Sequence, residues 1–220
     1  MVKTLVERTA EYVKQQLKHE ASGHDWFHVE RVWRVAKRLQ REEGGDLELI
    51  ELAALLHNLG DHNYQFRQFN ETKESLALHG IMDSLDIAEE RKEQIIKIVN
   101  EIKFGGIETK PPVTIEGKVV QDANFLDALG AIGIARCFAS GGYHERAIYD
   151  PEIKARKHLT RTVYQRQKQR GTSLNNFSEK ALVMAGLLNT SAAKKMVEPR
   201  AQFIRDFIVQ FKKEWEEGNG

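Results

Sequence analysis

The 220-residue chain is long enough for one domain with a full core, and 41% hydrophobic with 30% charged residues fits neither disorder nor a membrane span. A formal charge of +1 gives no overall pull toward nucleic acid, and the single cysteine, Cys137, excludes an internal disulfide and a cysteine-built zinc cluster. Any metal must then be held by His, Asp, Glu or Asn, and the eight histidines supply candidates. The opening segment MVKTLVERTAEYVKQQ is charged throughout, unlike the apolar part of a secretory signal. With no apolar run of membrane-crossing length, the expectation is a cytoplasmic protein without a membrane partner.

In chain order, residues 2–19 repeat Leu5, Val6, Thr9, Val13 and Leu17 at helical spacing. A break at Ala21-Ser22-Gly23 precedes a second helix over 25–42, which Gly44-Gly45 ends. Asp46 is placed to cap a short apolar helix over 47–58 that stops near Gly60. Two more helices follow over 72–86 and 88–103, then a loop marked by Gly105-Gly106 and Pro111-Pro112. A single long helix is predicted from Thr114 to Ala139, ended by Gly141-Gly142, and a closing pair over 173–189 and 191–216. With alternating strand patterns scarce, the architecture expected is an all-α bundle in one domain over 1–220. Its motif-bearing core spans about 20–140, and the helices of 173–216 close it.

Between Ile153 and Ser178 the chain carries Lys154, Arg156, Lys157, Arg161, Arg166, Lys168 and Arg170 and no acidic residue. That excess can grip phosphate oxygens or simply be a solvated surface. In the last helix Phe203, Phe207 and Phe211 recur every four residues, a stripe that can pack inside the fold or against another subunit, with core packing the expected use. Monomer and homodimer both stay open.

The polar residues on core-facing stripes carry the chemistry. His28 shares a helix face with Val32, Val35, Ala36 and Leu39. His57 ends LIELAALLH, the most apolar segment of the chain, and Asp122 lies in line with Ile115, Val119, Leu126 and Leu129. A lone inward histidine is more often a hydrogen-bonded core residue than a ligand, and a buried carboxylate is costly without a partner. Two imidazoles and a carboxylate aimed at one interior can compensate one another by sharing a divalent cation. Periodicity names no reaction.

The same residues carry a family resemblance. His24-Asp25-Trp26-Phe27-His28-Val29-Glu30-Arg31-Val32 resembles the HDxxHxxRV opening of the HD-domain phosphohydrolase superfamily, and Leu55-Leu56-His57-Asn58-Leu59-Gly60-Asp61 resembles its LLHDxxD segment. Lys118 to Ala123 with Leu126 to Arg136 is similar to a long signature of the compact single-domain bacterial branch. The resemblance runs from about residue 20 to 215. It implies a helical fold holding one divalent ion (Mn, Mg, Fe, Ni or Zn) through His28, His57, the residue after it and Asp122. It also implies hydrolysis of a phosphate ester or anhydride, with a nucleotide as the small partner. Asp61 would orient the attacking water or exchange its proton, Arg31 would bind a substrate phosphate, and Asp127 would orient a ligand or Arg31. Arg31 and Asp127 have a second reading, a structural ion pair.

Five residues depart from the resembled pattern. Asn58 stands where the defining Asp is expected, Glu101 where a histidine is, Asn124-Phe125 where an Asp-Arg pair is, and Asn176 where another histidine is. An amide oxygen binds a hard cation but is neutral, so binding weakens and a second bridged ion loses its support. Glu101 could restore the lost charge if it faces the site. The alternative to an enzyme is a degenerate relative that binds a nucleotide or phosphate ligand without turnover.

Overall fold

The computed structural model describes residues 3–59, 71–166 and 171–217, and it is helical, with no strand among the described residues. The chain divides into two compact units, one of 1–20, 24–103 and 111–123, the other of 21–23, 104–110 and 124–220.

The first unit is built on helix termini that the sequence marks. Helix α1 (Leu5–Gln16) opens on a capping box, in which Thr4 accepts the Glu7 N–H at 3.2 Å and Glu7 accepts the Thr4 N–H at 2.8 Å. In α2 (Trp26–Glu43) the N-cap Asp25 takes the His28 N–H at 2.8 Å, and Gly44 ends the helix. In α3 (Leu47–Leu56) Asp46 takes the Leu49 N–H at 3.1 Å. This short helix is buried from Leu52 through Leu56, and it packs against both α1 and α2. Apart from Glu48 and Glu51 this helix is apolar, and its largely apolar surface is met by these neighbours. Helices α4 (Glu71–Ser84) and α5 (Glu89–Glu101) pair with one another, and α5 also lies against α3.

The long helix expected over 114–139 is two. Helix α6 (Ile115–Asp127) begins with Thr114 accepting the Gly117 N–H at 3.1 Å, and α7 (Gly130–Tyr143) follows a break at Ala128-Leu129. Leu129 is extended at φ −116° and Gly130 takes φ +69°. The apolar period continues on both sides of the break, which hides it from a periodicity reading. Only the left-handed backbone at Gly130, costly for any residue with a Cβ, reveals it.

The second unit contains α7, a short α8 (Arg161–Arg166), and a helix that runs on from α9 (Ser173–Asn176) through a π-helical turn at Phe177–Ala181 into α10 (Leu182–Ala185). It closes with α11 (Ser191–Glu216), capped by Thr190. Its core joins Leu129, Ile134, Leu174, Phe177, Ala181 and Ile204. Phe138, Phe177 and Phe207 meet edge-on at 5.7 to 5.9 Å, and Phe211 packs against this core as well. Phe203, the third member of the stripe, is 51% exposed. Among the described residues no helix is long and apolar enough to cross a membrane.

Candidate metal centre

Two of the expected ligands face each other. His28 is buried in the first turn of α2, and His57 is buried in the turn that follows α3. The Nδ1 of His57 lies 2.7 Å from the carbonyl oxygen of Ala54, so that nitrogen carries the proton and donates. In the neutral ring that donates from Nδ1, Nε2 is the lone-pair nitrogen, and in His57 it stands 3.2 Å from Nε2 of His28. With its proton on Nδ1, His28 would also offer an Nε2 lone pair. Two buried imidazole nitrogens 3.2 Å apart form a donor set of the kind that would hold a divalent cation. The donor pair therefore fits a divalent cation.

Asn58 is buried beside the pair, and its Nδ2 donates to the main-chain oxygen of His24 at 3.2 Å. That bond leaves Oδ1 as the end suited to a cation. The ring of His24 lies edge-on to His28 at 5.8 Å, a neighbour that the helix pattern did not single out. Asp122 is wholly buried on α6 within the same unit, and Arg31 is half-buried on α2. Asp61 lies outside the described residues, as do Lys168 and Arg170.

Other expectations resolve into specific partners. Asp127 belongs to the second unit, where its Oδ2 lies 3.2 Å from an Arg136 terminal nitrogen, both side chains nearly enclosed. Glu101 accepts the Val113 N–H at 3.2 Å, which ties the end of α5 to the loop before α6. Phe125 is fully buried, edge-on to Phe104 at 6.4 Å, so an aromatic packs where the resembled pattern has a cation. Asn176 is half-buried at the end of α9. In the basic segment, Arg156 gives its main-chain N–H, Nε and Nη2 to Glu179, which is buried in the π-helical turn.

A further cluster escaped the sequence reading. His79, Asp83 and Glu89 have ligand atoms all within 4.8 Å of one another. The His-x₃-Asp spacing on α4 was the available signal. The Lys92 ammonium already lies among them, bonded to Asp83 and, at 3.1 Å, to Glu89. The Asp83 bond, with Glu89 next, holds Lys92 above the usual lysine range, while the same bond draws Asp83 below the usual carboxylate range. A cation is in place there without a metal.

The family model described as the HD domain matches residues 26–129, a span that contains His28, Arg31, His57, Asn58, Asp122 and Asp127. A Bacillus thuringiensis HD-superfamily hydrolase is 40% identical, with 96% of each chain covered and a TM-score of 0.67. The chain belongs to the HD family. A Lactobacillus plantarum protein is similar to this HD protein with a TM-score of 0.86, 35% identity and coverage of 98% and 99% of the two chains. YpgQ of Bacillus subtilis is 32% identical over 213 residues, 94% of this chain and 92% of YpgQ. The crystal structure of YpgQ in complex with ADP is similar with a TM-score of 0.67 and 28% identity, covering 93% and 97%.

Proposed function

We propose that this HD protein is a metal-dependent phosphohydrolase acting on a nucleotide or a related phosphate ester or anhydride. The observation that carries the reading is the buried pair of Nε2 atoms of His28 and His57, 3.2 Å apart, with His57 fixed in the tautomer a ligand needs. The ADP complex of YpgQ supports a nucleotide as the ligand class.

His28 and His57 would hold one divalent cation through Nε2, with the Oδ1 of Asn58 and the carboxylate of Asp122 completing the set. An ion held there supplies Lewis acidity toward a phosphoryl oxygen and toward water. Arg31, one turn along α2 from His28, binds a substrate phosphate through its planar fork of donors. Asp61, four residues after His57, orients the attacking water and takes its proton. Asp127 is engaged in an ion pair with Arg136. The neutral Asn58 removes one negative charge from the donor set, so a single weakly held ion is expected rather than a bridged pair. Nitrogen and oxygen donors of this kind accept Mn, Mg, Fe, Ni or Zn.

A second reading, nucleotide or phosphate binding without turnover, is favoured by two observations, the uncharged Asn58 and the buried Phe125. Purified protein assayed against nucleoside di- and triphosphates with Mn²⁺, Mg²⁺, Co²⁺ and Ni²⁺ separates the two. Turnover that falls at least about 100-fold in both His28→Ala and His57→Ala is the expected result. Native turnover with full rate in His57→Ala would sink the proposed site. Saturable binding with turnover only after Asn58→Asp would establish the second reading.

A further inference from the structure

We propose that Asn58 is a positioning residue, a tether whose amide N–H holds the start of α2 to the end of α3 so that His28 and His57 face one another before any cation arrives. The side chain is 7% exposed, and its Nδ2 donates to the carbonyl oxygen of His24 at 3.2 Å. His24 immediately precedes Asp25, the N-cap whose carboxylate takes the His28 N–H at 2.8 Å. One bond from the turn after α3 thus fixes the backbone ahead of that cap, and the cap fixes His28 in its first turn. On the other side, the 2.7 Å contact of His57 Nδ1 with Ala54 fixes the second ring. The Asn58 bond couples the two halves across the site.

The residue type follows from the acceptor. A main-chain carbonyl offers only lone pairs, so its partner must be a donor. Aspartate has the same shape but presents oxygens alone, which would set a carboxylate against a carbonyl in a buried space. Alanine would leave the His24 carbonyl to find another donor. The amide meets the requirement with nitrogen and turns Oδ1 the other way, so one side chain can tether and still offer an oxygen to a cation. What it gives up is charge. The metal-free site is therefore already assembled, at the expense of a looser grip on the ion. Aspartate would reverse both properties.

The functional meaning of the tether rests on reading His28 and His57 as a cation site, but the tether itself is tested without metal or turnover. The native ¹⁵N-labelled protein and its Asn58→Ala and Asn58→Asp variants are compared in EDTA by imidazole ¹⁵N correlation spectra and thermal melting. Both variants are expected to shift the His28 and His57 nitrogen signals and to melt lower by about 3–6 °C. Zn²⁺ in excess is expected to raise the melting temperature of Asn58→Asp more than that of the native protein. Should either variant fail to fold, the native protein alone gives the answer through solvent exchange of the Asn58 Nδ2 protons, expected to be at least about 10-fold slower than for an exposed asparagine. Unchanged imidazole signals in both variants, or Nδ2 protons exchanging at the exposed rate, would overturn the tether. A confirmed tether in a protein that hydrolyses no phosphate removes the hydrolase reading and leaves this one standing.

Discussion

Arg136 binds its surroundings in three directions. Its Nε donates to the carbonyl of Gly23 at 2.6 Å, and one terminal nitrogen reaches both the main-chain oxygen of Asp127 and its carboxylate at 3.2 Å. With Asp127 only 4% exposed, removing the guanidinium strands a buried carboxylate, a loss of about 3–5 kcal/mol. Arg136→Met should therefore move the urea midpoint down sharply, and Asp127→Asn, which keeps an acceptor and drops the charge, should cost less. An unchanged midpoint in Arg136→Met would show that the pair contributes nothing. The same logic reassigns part of the basic segment. Arg156 is spent on Glu179, so it helps fold the second unit instead of waiting for a phosphate. The main-chain N–H of Arg161 is taken by Glu108 at 2.8 Å, which ties the segment to the loop after α5.

At the scale of an element, α3 depends on one side chain at its start. Asp46 accepts the Leu49 N–H and pairs with Arg91 at 2.6 Å, and the Leu49 bond, ahead of Arg91, holds the carboxyl below its ordinary 3.8. A depressed folded-state pKa means that the stabilisation is complete above the unfolded value and fades as pH falls through the lower folded one. Asp46→Ala should cost about 1 kcal/mol at pH 7, as for other N-caps. Denaturant melts from pH 7 down to pH values below 3.8 should show the difference between variant and native protein narrowing only at the acid end. A gap that is flat across the range would mean that the ionised cap has no role. The cap matters beyond its own turn because α3 carries His57 at its end and the most buried side chains of the first unit along its length.

For the whole molecule, the expected ligands His28, His57, Asn58 and Asp122 all fall in the first unit, while the aromatic core of Phe138, Phe177 and Phe207 belongs to the second. Cation binding should therefore slow backbone hydrogen exchange over 24–59 and 115–123 while leaving 191–211 nearly unchanged. Slowing confined to the second unit would place the ion elsewhere. The likeness to YpgQ and the Lactobacillus plantarum protein spans both units, so the division does not separate a matched part from an unmatched one. Helix existence, the cap at Asp46, and the inward set of His28, His57 and Asp122 were legible in the sequence. Each depends on hydrogen bonds or periodicity within a few residues, which a linear pattern records. The sequence did not reveal the break at Gly130, the outward turn of Phe203, the pairing of Asp127 with Arg136 or the direction of the Asn58 amide. Those depend on which distant groups meet, as when Asn58 finds the carbonyl of His24 and Arg136 that of Gly23. A carbonyl has the same appearance at every position in a sequence, and only the packed chain selects the one that a buried donor reaches.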